Sequence, residues 1–171
     1  VWQAYHSLSK QEYLLLGFNK TPTYELIREF IYERIGIQQF IVLFHWMVKQ
    51  IVFYLKKEKI PVGTEIFQDA TDKQSMKDDP DAKYSGYYKH HGYKIDTTIE
   101  GKLFLPVDYQ PMEITGDEGK NLIPSMKQMQ SYGVEEKVRV VDCKYATFEN
   151  IAYCELNGTS LYYKIADHLD I

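Results

Sequence analysis

The chain has 171 residues, 44% of them hydrophobic, which suffices for one domain with an ordinary globular core. Its formal net charge of −4 disfavours binding of nucleic acid through overall charge, although a local basic surface remains compatible with it. The two cysteines, Cys143 and Cys154, do not make a disulfide-rich framework, so a reducing, cytoplasmic setting is expected. Polar residues interrupt the longest apolar stretch, 35–55, which indicates a buried helix rather than a membrane span.

Helical signals dominate the start of the chain. Ser9 and Glu12 have the spacing of a capping box, and Thr21 precedes Pro22 in the way that a cap residue precedes a first helical turn. A helix is therefore predicted to begin at each of these two places. We interpret residues 1–60 as an all-helical segment.

Apolar periodicity predicts two further helices in this segment. Apolar residues recur at helical spacing over 23–33 and 37–59, and Gly36 separates the two runs. The aromatic side chains of the second run are predicted to lie in the core, with a dimer face as the alternative. These side chains are Phe40, Phe44, Trp46 and Phe53.

Strand signals begin directly after the helical segment. The run 64–69 is the first strand candidate, and the polar segment 75–89 is predicted to be an exposed connection. Strand candidates follow over 92–99 and 103–114, joined by a hairpin turn at Gly101. A β-hairpin is thus predicted after the first strand.

The last third of the chain alternates helices and strands. The predicted elements are a helix from about 117 to 132, a strand that ends at Asp142, a helix over about 147–156 and a strand over 160–166. Asp117 is interpreted as the cap of the first of these helices rather than as a metal ligand.

The predicted order of elements after residue 60 is β-β-β-α-β-α-β. Three strands, a crossover helix and a further parallel strand are the order of an RNase H-like mixed α/β sheet, in which the first and fourth strands lie side by side. We therefore expect an α/β fold with a helical segment at 1–60 and an RNase H-like core at 61–171.

Asp69 and Asp142 stand in matching settings, because each ends a short apolar run. If the two strands are neighbours, the two carboxylates converge at one end of the sheet, where α/β proteins place their chemistry. Such a pair is a site for a hard cation, Mg²⁺ or Mn²⁺. The alternative interpretation of each aspartate is a turn or helix cap.

Several local strings, in order and spacing, resemble the central part of DDE-class insertion-sequence transposases. They are 21–26 (TPTYEL), 69–71 (DAT), 79–83 (DPDAK), 91–94 (HGYK) and 141–145 (VDCKY). The resemblance covers most of 14–166. It implies a catalytic core that cleaves DNA and joins DNA strands with the help of divalent cations.

By this resemblance, Asp69 and Asp142 are the first two acids of the catalytic triad. The third acid of the family, a glutamate on a helix after the fifth strand, is expected beyond Ile171, so the core is expected to be truncated here. Two carboxylates leave a metal site short of ligands, and we expect weak metal binding and poor cleavage by this chain. Lys144 stands where the family usually has glycine or alanine and is expected to compete with the metal.

A basic surface is predicted around the hairpin. Its DNA-contacting candidates, for which plain solvated surface is the alternative interpretation, are Lys83, Lys89, His90, His91 and Lys94.

The predicted function is that of a DNA transposase fragment acting on transposon ends and target DNA. We expect no membrane association, a homodimer as a possible assembly, and a prokaryotic cytoplasm, close to the nucleoid. The first alternative is an inactive or domesticated remnant that binds DNA or protein without chemistry. The second is an RNase H-like nuclease that uses the same carboxylates on a different substrate.

Overall fold

The computed structural model describes residues 9, 11, 22–75 and 79–164. The described residues group into two compact units that divide between Phe44 and His45. The predicted capping box at Ser9 and Glu12 and the predicted helix start at Thr21 involve residues outside this description.

Helices form most of the described stretch 24–57 before the sheet. Helix α1, Tyr24–Glu29, begins after Thr23, whose hydroxyl accepts a hydrogen bond from the Leu26 amide at 3.2 Å. A π-helical turn, Phe30–Ile35, extends it. Gly36 then interrupts the helix at φ +81°, a conformation that glycine adopts without strain, and this confirms the predicted break.

The long helix α2, Ile37–Lys57, buries a narrower stripe than the sequence predicts. Val48 and Val52, one turn apart, are 2% and 0% exposed, whereas Trp46 and Phe53 are 58% and 69% exposed. The prediction that the aromatic side chains lie in the core is therefore wrong for these two residues and for Phe40. The helix is apolar around most of its circumference, so periodicity alone could not identify the buried stripe.

After α2, the described chain forms a single mixed sheet of six strands, with two further helices between its later strands. Its strands are β1 Glu65–Gln74, β2 Lys83–Ser85, β3 His90–Glu100, β4 Leu105–Glu113, β5 Val138–Val141 and β6 Ser160–Tyr163. The strand order is β2-β3-β1-β5-β6, and β4 also pairs with β3. Strand β3 is antiparallel to its neighbours, while β1, β5 and β6 run parallel. The predicted mixed α/β fold is confirmed, including the pairing of the first acidic strand with the second.

The strand bounds differ from the predicted ones, most of all at the end of β1, and one short strand was not predicted. Strand β1 continues five residues beyond Asp69 to Gln74, because it stays paired with β3 up to the contact between Gln74 and Gly92. The short strand β2 lies within the segment that was predicted to be an exposed connection. The end of β1 and the strand β2 are both largely polar, so their hydrophobic pattern does not predict a strand. They are strands because they pair with β3.

Helices α3, Leu122–Ser131, and α4, Phe148–Leu156, provide the two crossover connections. Asp117 caps the 3₁₀ turn before α3, since its carboxylate accepts from the Gly119 amide at 3.1 Å, which confirms the interpretation of Asp117 as a cap. The helices pack on one face of the sheet around a buried cluster, whose members are Leu122, Met126, Val141, Tyr145 and Cys154.

Both cysteines are free thiols. Burial raises the pKa of the Cys154 thiol to about 11. Within the described ranges, no single helix is long and apolar enough to cross a membrane. The segments Tyr24–Ile35 and Gln38–Lys57, which are bent against each other, reach the required length and apolar composition only when they are counted together.

Candidate functional site

Asp69 and Asp142 lie next to each other across the boundary between β1 and β5. The last pair in the parallel register is Gln68 with Val141, so the two aspartates occupy the next position on each chain. Both residues are exposed, and both line one open depression of about 440 Å³. The structure thus brings together the two acids that the sequence singled out.

The two aspartates belong to the open face of the sheet. Exposure alternates along β1, with Ile66 and Gln68 buried and with Phe67 and Asp69 exposed. Successive side chains of a strand point to opposite faces, so Asp69 faces away from the helices that cover Gln68. A ligand can therefore reach the two carboxylates from solvent.

Asp142 is also a cap, as the alternative interpretation of the sequence held. Its Oδ1 accepts a hydrogen bond from the Cys143 amide at 2.7 Å at the start of a 3₁₀ turn, Cys143–Tyr145. A hydrogen bond with Asp142 is also the largest of the effects that raise the pKa of the Cys143 thiol, ahead of burial. The capping contact orients the Asp142 carboxylate at the end of β5.

A buried carboxylate on β3, Asp96, connects the segments that carry the two acids. Gln68, next to Asp69, donates its amide to Asp96 Oδ1 at 2.9 Å. Tyr145, three residues after Asp142, donates its hydroxyl to Asp96 Oδ2 at 2.8 Å. Asp96 is 1% exposed, and its burial raises its pKa, although the hydrogen bonds from Gln68 and Tyr145 partly offset the shift. Both acids are thus anchored through one buried group.

Arg139 supports the same network from β5. Its guanidinium is fully buried, donates to Glu136 at 2.6 and 2.8 Å, and donates to the side-chain oxygen of Gln68. Gln68 therefore bridges a cation and a carboxylate across three strands. Asp96 and Arg139 could not be singled out from the sequence, because nothing in their local pattern shows that they are buried.

The donor set of the acidic pair fits a hard divalent cation. Mg²⁺ is usually held by one or two carboxylates and keeps several of its waters, and an exposed pair of aspartates offers that arrangement. Among the residues that the structure describes, no group of three or more His, Cys, Asp or Glu side chains is close enough to hold a metal.

Three of the predicted DNA-contacting residues lie on the surface around β2 and the following turn. Lys83 is exposed and pairs with Glu113 at 2.7 Å. Lys89 is exposed in the turn before β3, at φ +63°. His91 is exposed, with its ring 5.1 Å from that of Tyr84.

The other two predicted contacts, His90 and Lys94, are less accessible to solvent than these three residues. His90 is half-buried and lies 3.2 Å from Asp72. Lys94 is 7% exposed, and its ammonium donates to Glu118 at 2.5 Å. Alternation along β3 places Lys94 on the covered face, where the partner carboxylate offsets the cost of burying its charge.

No protein-family model matches the chain, and no curated protein matches it. Several solved structures are similar to it. One is the simian T-cell lymphotropic virus intasome in complex with PP2A regulatory subunit B56 gamma, with a TM-score of 0.44 and 11% identity over 62% of this chain and 33% of that one. Another is the Mos1 transposase paired-end complex with left transposon end, with a TM-score of 0.42 and 12% identity over 92% of this chain and 54% of that one.

A third is the piggyBac transposase synaptic complex with hairpin DNA, with a TM-score of 0.40 and 12% identity over 70% of this chain and 29% of that one. The chain therefore spans 29% to 54% of the length of these three structures.

Proposed function

We propose that this chain is part of a DDE-class insertion-sequence transposase, with Asp69 and Asp142 as the first two acids of its catalytic site. The observation that carries the proposal is the placement of both carboxylates at adjacent positions of neighbouring parallel strands, in one open depression. The sequence strings around each acid, which resemble that family, support it. The proposed reaction is metal-dependent cleavage of DNA followed by strand transfer.

In this proposal, the two carboxylates bind a divalent cation, Mg²⁺ or Mn²⁺, through oxygen ligands. Such a cation, when bound, lowers the pKa of an attacking water or hydroxyl and stabilises the leaving oxygen at a phosphodiester. Asp69 is held on a central strand between β3 and β5. Asp142 is oriented by the Cys143 amide and by the Tyr145 anchor three residues later.

The proposed partners are transposon ends and target DNA, met on the open face of the sheet. Lys83, Lys89 and His91 remain in the proposed DNA-contacting set, whereas the buried Lys94 and the half-buried His90 are removed from it. A helical segment at 1–60 and a catalytic core at 61–171, a homodimer, and a prokaryotic cytoplasmic location complete the proposal.

Titration calorimetry with Mn²⁺ tests the metal site. We expect the parent chain to bind Mn²⁺ weakly and Asp69→Asn and Asp142→Asn each to weaken binding at least about tenfold, because each replacement removes an anionic ligand of a shared ion. Asp81→Asn is the matched control, since Asp81 is an exposed aspartate in a turn away from the pair.

Circular dichroism of all four proteins checks that they are folded. Mn²⁺ binding that is unchanged in either of the two site variants would contradict a shared site. Binding that is lost equally in the Asp81 control would show that it depends on general surface charge.

A further inference from the structure

Glu118, a buried carboxylate at the start of the 3₁₀ turn Glu118–Asn121, binds two lysines at once. Its Oε1 lies 2.5 Å from the ammonium of Lys94 and 3.3 Å from that of Lys144. The Lys94 side chain is 9% exposed, whereas that of Lys144 is 53% exposed. One carboxylate neutralises one ammonium, so the group presents a positive charge to solvent at Lys144, two residues after Asp142.

An exposed aromatic ring stands beside this ammonium. The Nζ atom of Lys144 lies 5.9 Å from the centre of the Tyr87 ring. Tyr87 is 83% exposed in the turn between β2 and β3, and its ring meets that of Tyr88 edge-on at 4.9 Å. Tyr88 in turn lies 5.9 Å from the Lys94 ammonium. The neighbouring contacts hold Tyr87 in place while most of its surface stays open.

A lysine ammonium is positively charged at neutral pH, and that of Lys144 lies 3.3 Å from Oε1 of Glu118. The expectation that Lys144 competes with a metal must be set against this geometry, since its ammonium is directed to Glu118.

We propose that Lys144 and Tyr87 form a subsite for one nucleotide of single-stranded DNA, in which the ammonium binds the phosphate and the ring stacks on the unpaired base. Proteins that bind single strands combine basic groups along the backbone with aromatic rings under the bases. Lys89, exposed in the same turn as Tyr87, extends the basic surface. This inference rests on the proposed function, because Lys144 follows Asp142 by two residues in the chain.

Lys144 and Tyr87 are expected to contribute differently to DNA binding, and this difference allows the subsite to be tested. A phosphate contact serves both single strands and duplexes, because both carry the charged backbone. An exposed ring can stack only on a base that is free of its partner, so Tyr87 provides the preference for single strands.

Fluorescence anisotropy of a labelled oligothymidylate and of a duplex of the same length, in EDTA, measures both contributions. We expect Lys144→Gln to weaken binding to both and to reduce the salt slope for the single strand by about 0.7. Tyr87→Leu is expected to weaken single-strand binding roughly fivefold or more, the value of one stacked base, and to leave duplex binding within about twofold. Lys144→Arg keeps the charge and is expected to bind like the parent.

Lys127→Gln is the matched control, because Lys127 also lies 5.9 Å from a tyrosine ring, that of Tyr153, but that ring packs against the buried cluster. It should leave binding unchanged. The subsite is overturned if Lys144→Gln and Tyr87→Leu bind the single strand as Lys127→Gln does, or if the parent chain does not bind it at low salt. Thermal melts establish that each variant is folded.

The experiment separates this inference from the proposed metal site, because EDTA removes every divalent cation. Single-strand binding that depends on Lys144 in a chain that binds no Mn²⁺ would support the subsite and defeat the metal proposal. Mn²⁺ binding that needs Asp69 and Asp142, combined with DNA binding that ignores Lys144, would defeat the subsite alone.

Discussion

The two faces of the sheet contain different kinds of polar side chain. On the covered face, Gln68, Asp96 and Arg139 are at most 2% exposed and bind one another. On the open face, Asp69 and Asp142 are exposed to solvent. Buried polar groups are tolerated only when they are paired, whereas exposed carboxylates are available to a ligand. Strand β1 thus has a buried, hydrogen-bonded side chain and an exposed carboxylate at consecutive residues.

The largest change in the free energy of unfolding is expected from a substitution on the covered face. Arg139→Met leaves the buried Glu136 carboxylate without its partner, so the free energy of unfolding is expected to fall by about 3–5 kcal/mol. Urea denaturation measures it. Adding Glu136→Leu removes the orphaned charge and should recover most of the loss. A single variant as stable as the parent would show that the covered face does not depend on this pair.

A smaller expected effect is a change in how the free energy of unfolding depends on pH. Burial raises the pKa of Asp96 in the folded chain above its ordinary value of 3.8. Between pH 3.8 and the higher pKa of the folded chain, the folded state therefore binds more protons than the unfolded state. This contribution makes stability fall as pH rises through that window. Asp96→Asn should remove the fall, as measured by urea denaturation from pH 3.8 upward. Equal slopes in parent and variant would contradict it.

The smallest change in the free energy of unfolding is expected from a substitution on the open face. Phe67 neighbours the fully buried Ile66 in sequence but is itself 43% exposed, and its inner edge rests against Gly101. Phe67→Ser is expected to change the free energy of unfolding by about 1 kcal/mol or less, whereas Ile66→Ala should cost about 2–5 kcal/mol. Urea denaturation of the two variants compares them. A similar loss in both would mean that this face is covered in solution.

The order of the elements other than β2, and the meeting of the two acids, could be predicted from the sequence. Short apolar runs that end at Asp69 and Asp142, with a crossover helix between them, leave few ways to arrange a sheet. The break at Gly36 and the cap at Asp117 follow from backbone geometry and local hydrogen bonding, which depend on adjacent residues. These features need no knowledge of distant contacts.

Features that depend on distant partners could not be predicted. Lys94 is buried because Glu118, 24 residues later, accepts its charge. Asp96 is buried because Gln68 and Tyr145 donate to it from other strands and turns. Lys144, interpreted from the sequence as an obstacle to the metal, is directed to the same Glu118. A single sequence shows which side chains are present, but it does not show which of them contact each other in the folded chain.

The extra length of β1 has a consequence for self-association. In the part of the chain that the structure describes, β5 pairs with β1 only as far as Gln68, so residues 69–74 have a neighbour on one side alone. Unpaired backbone at a sheet margin attracts other extended chains, and charged side chains are the usual protection against such pairing. Asp69, Asp72 and Lys73 supply those charges. The exposed charge of Asp69 is therefore also expected to disfavour pairing of this strand margin with other chains.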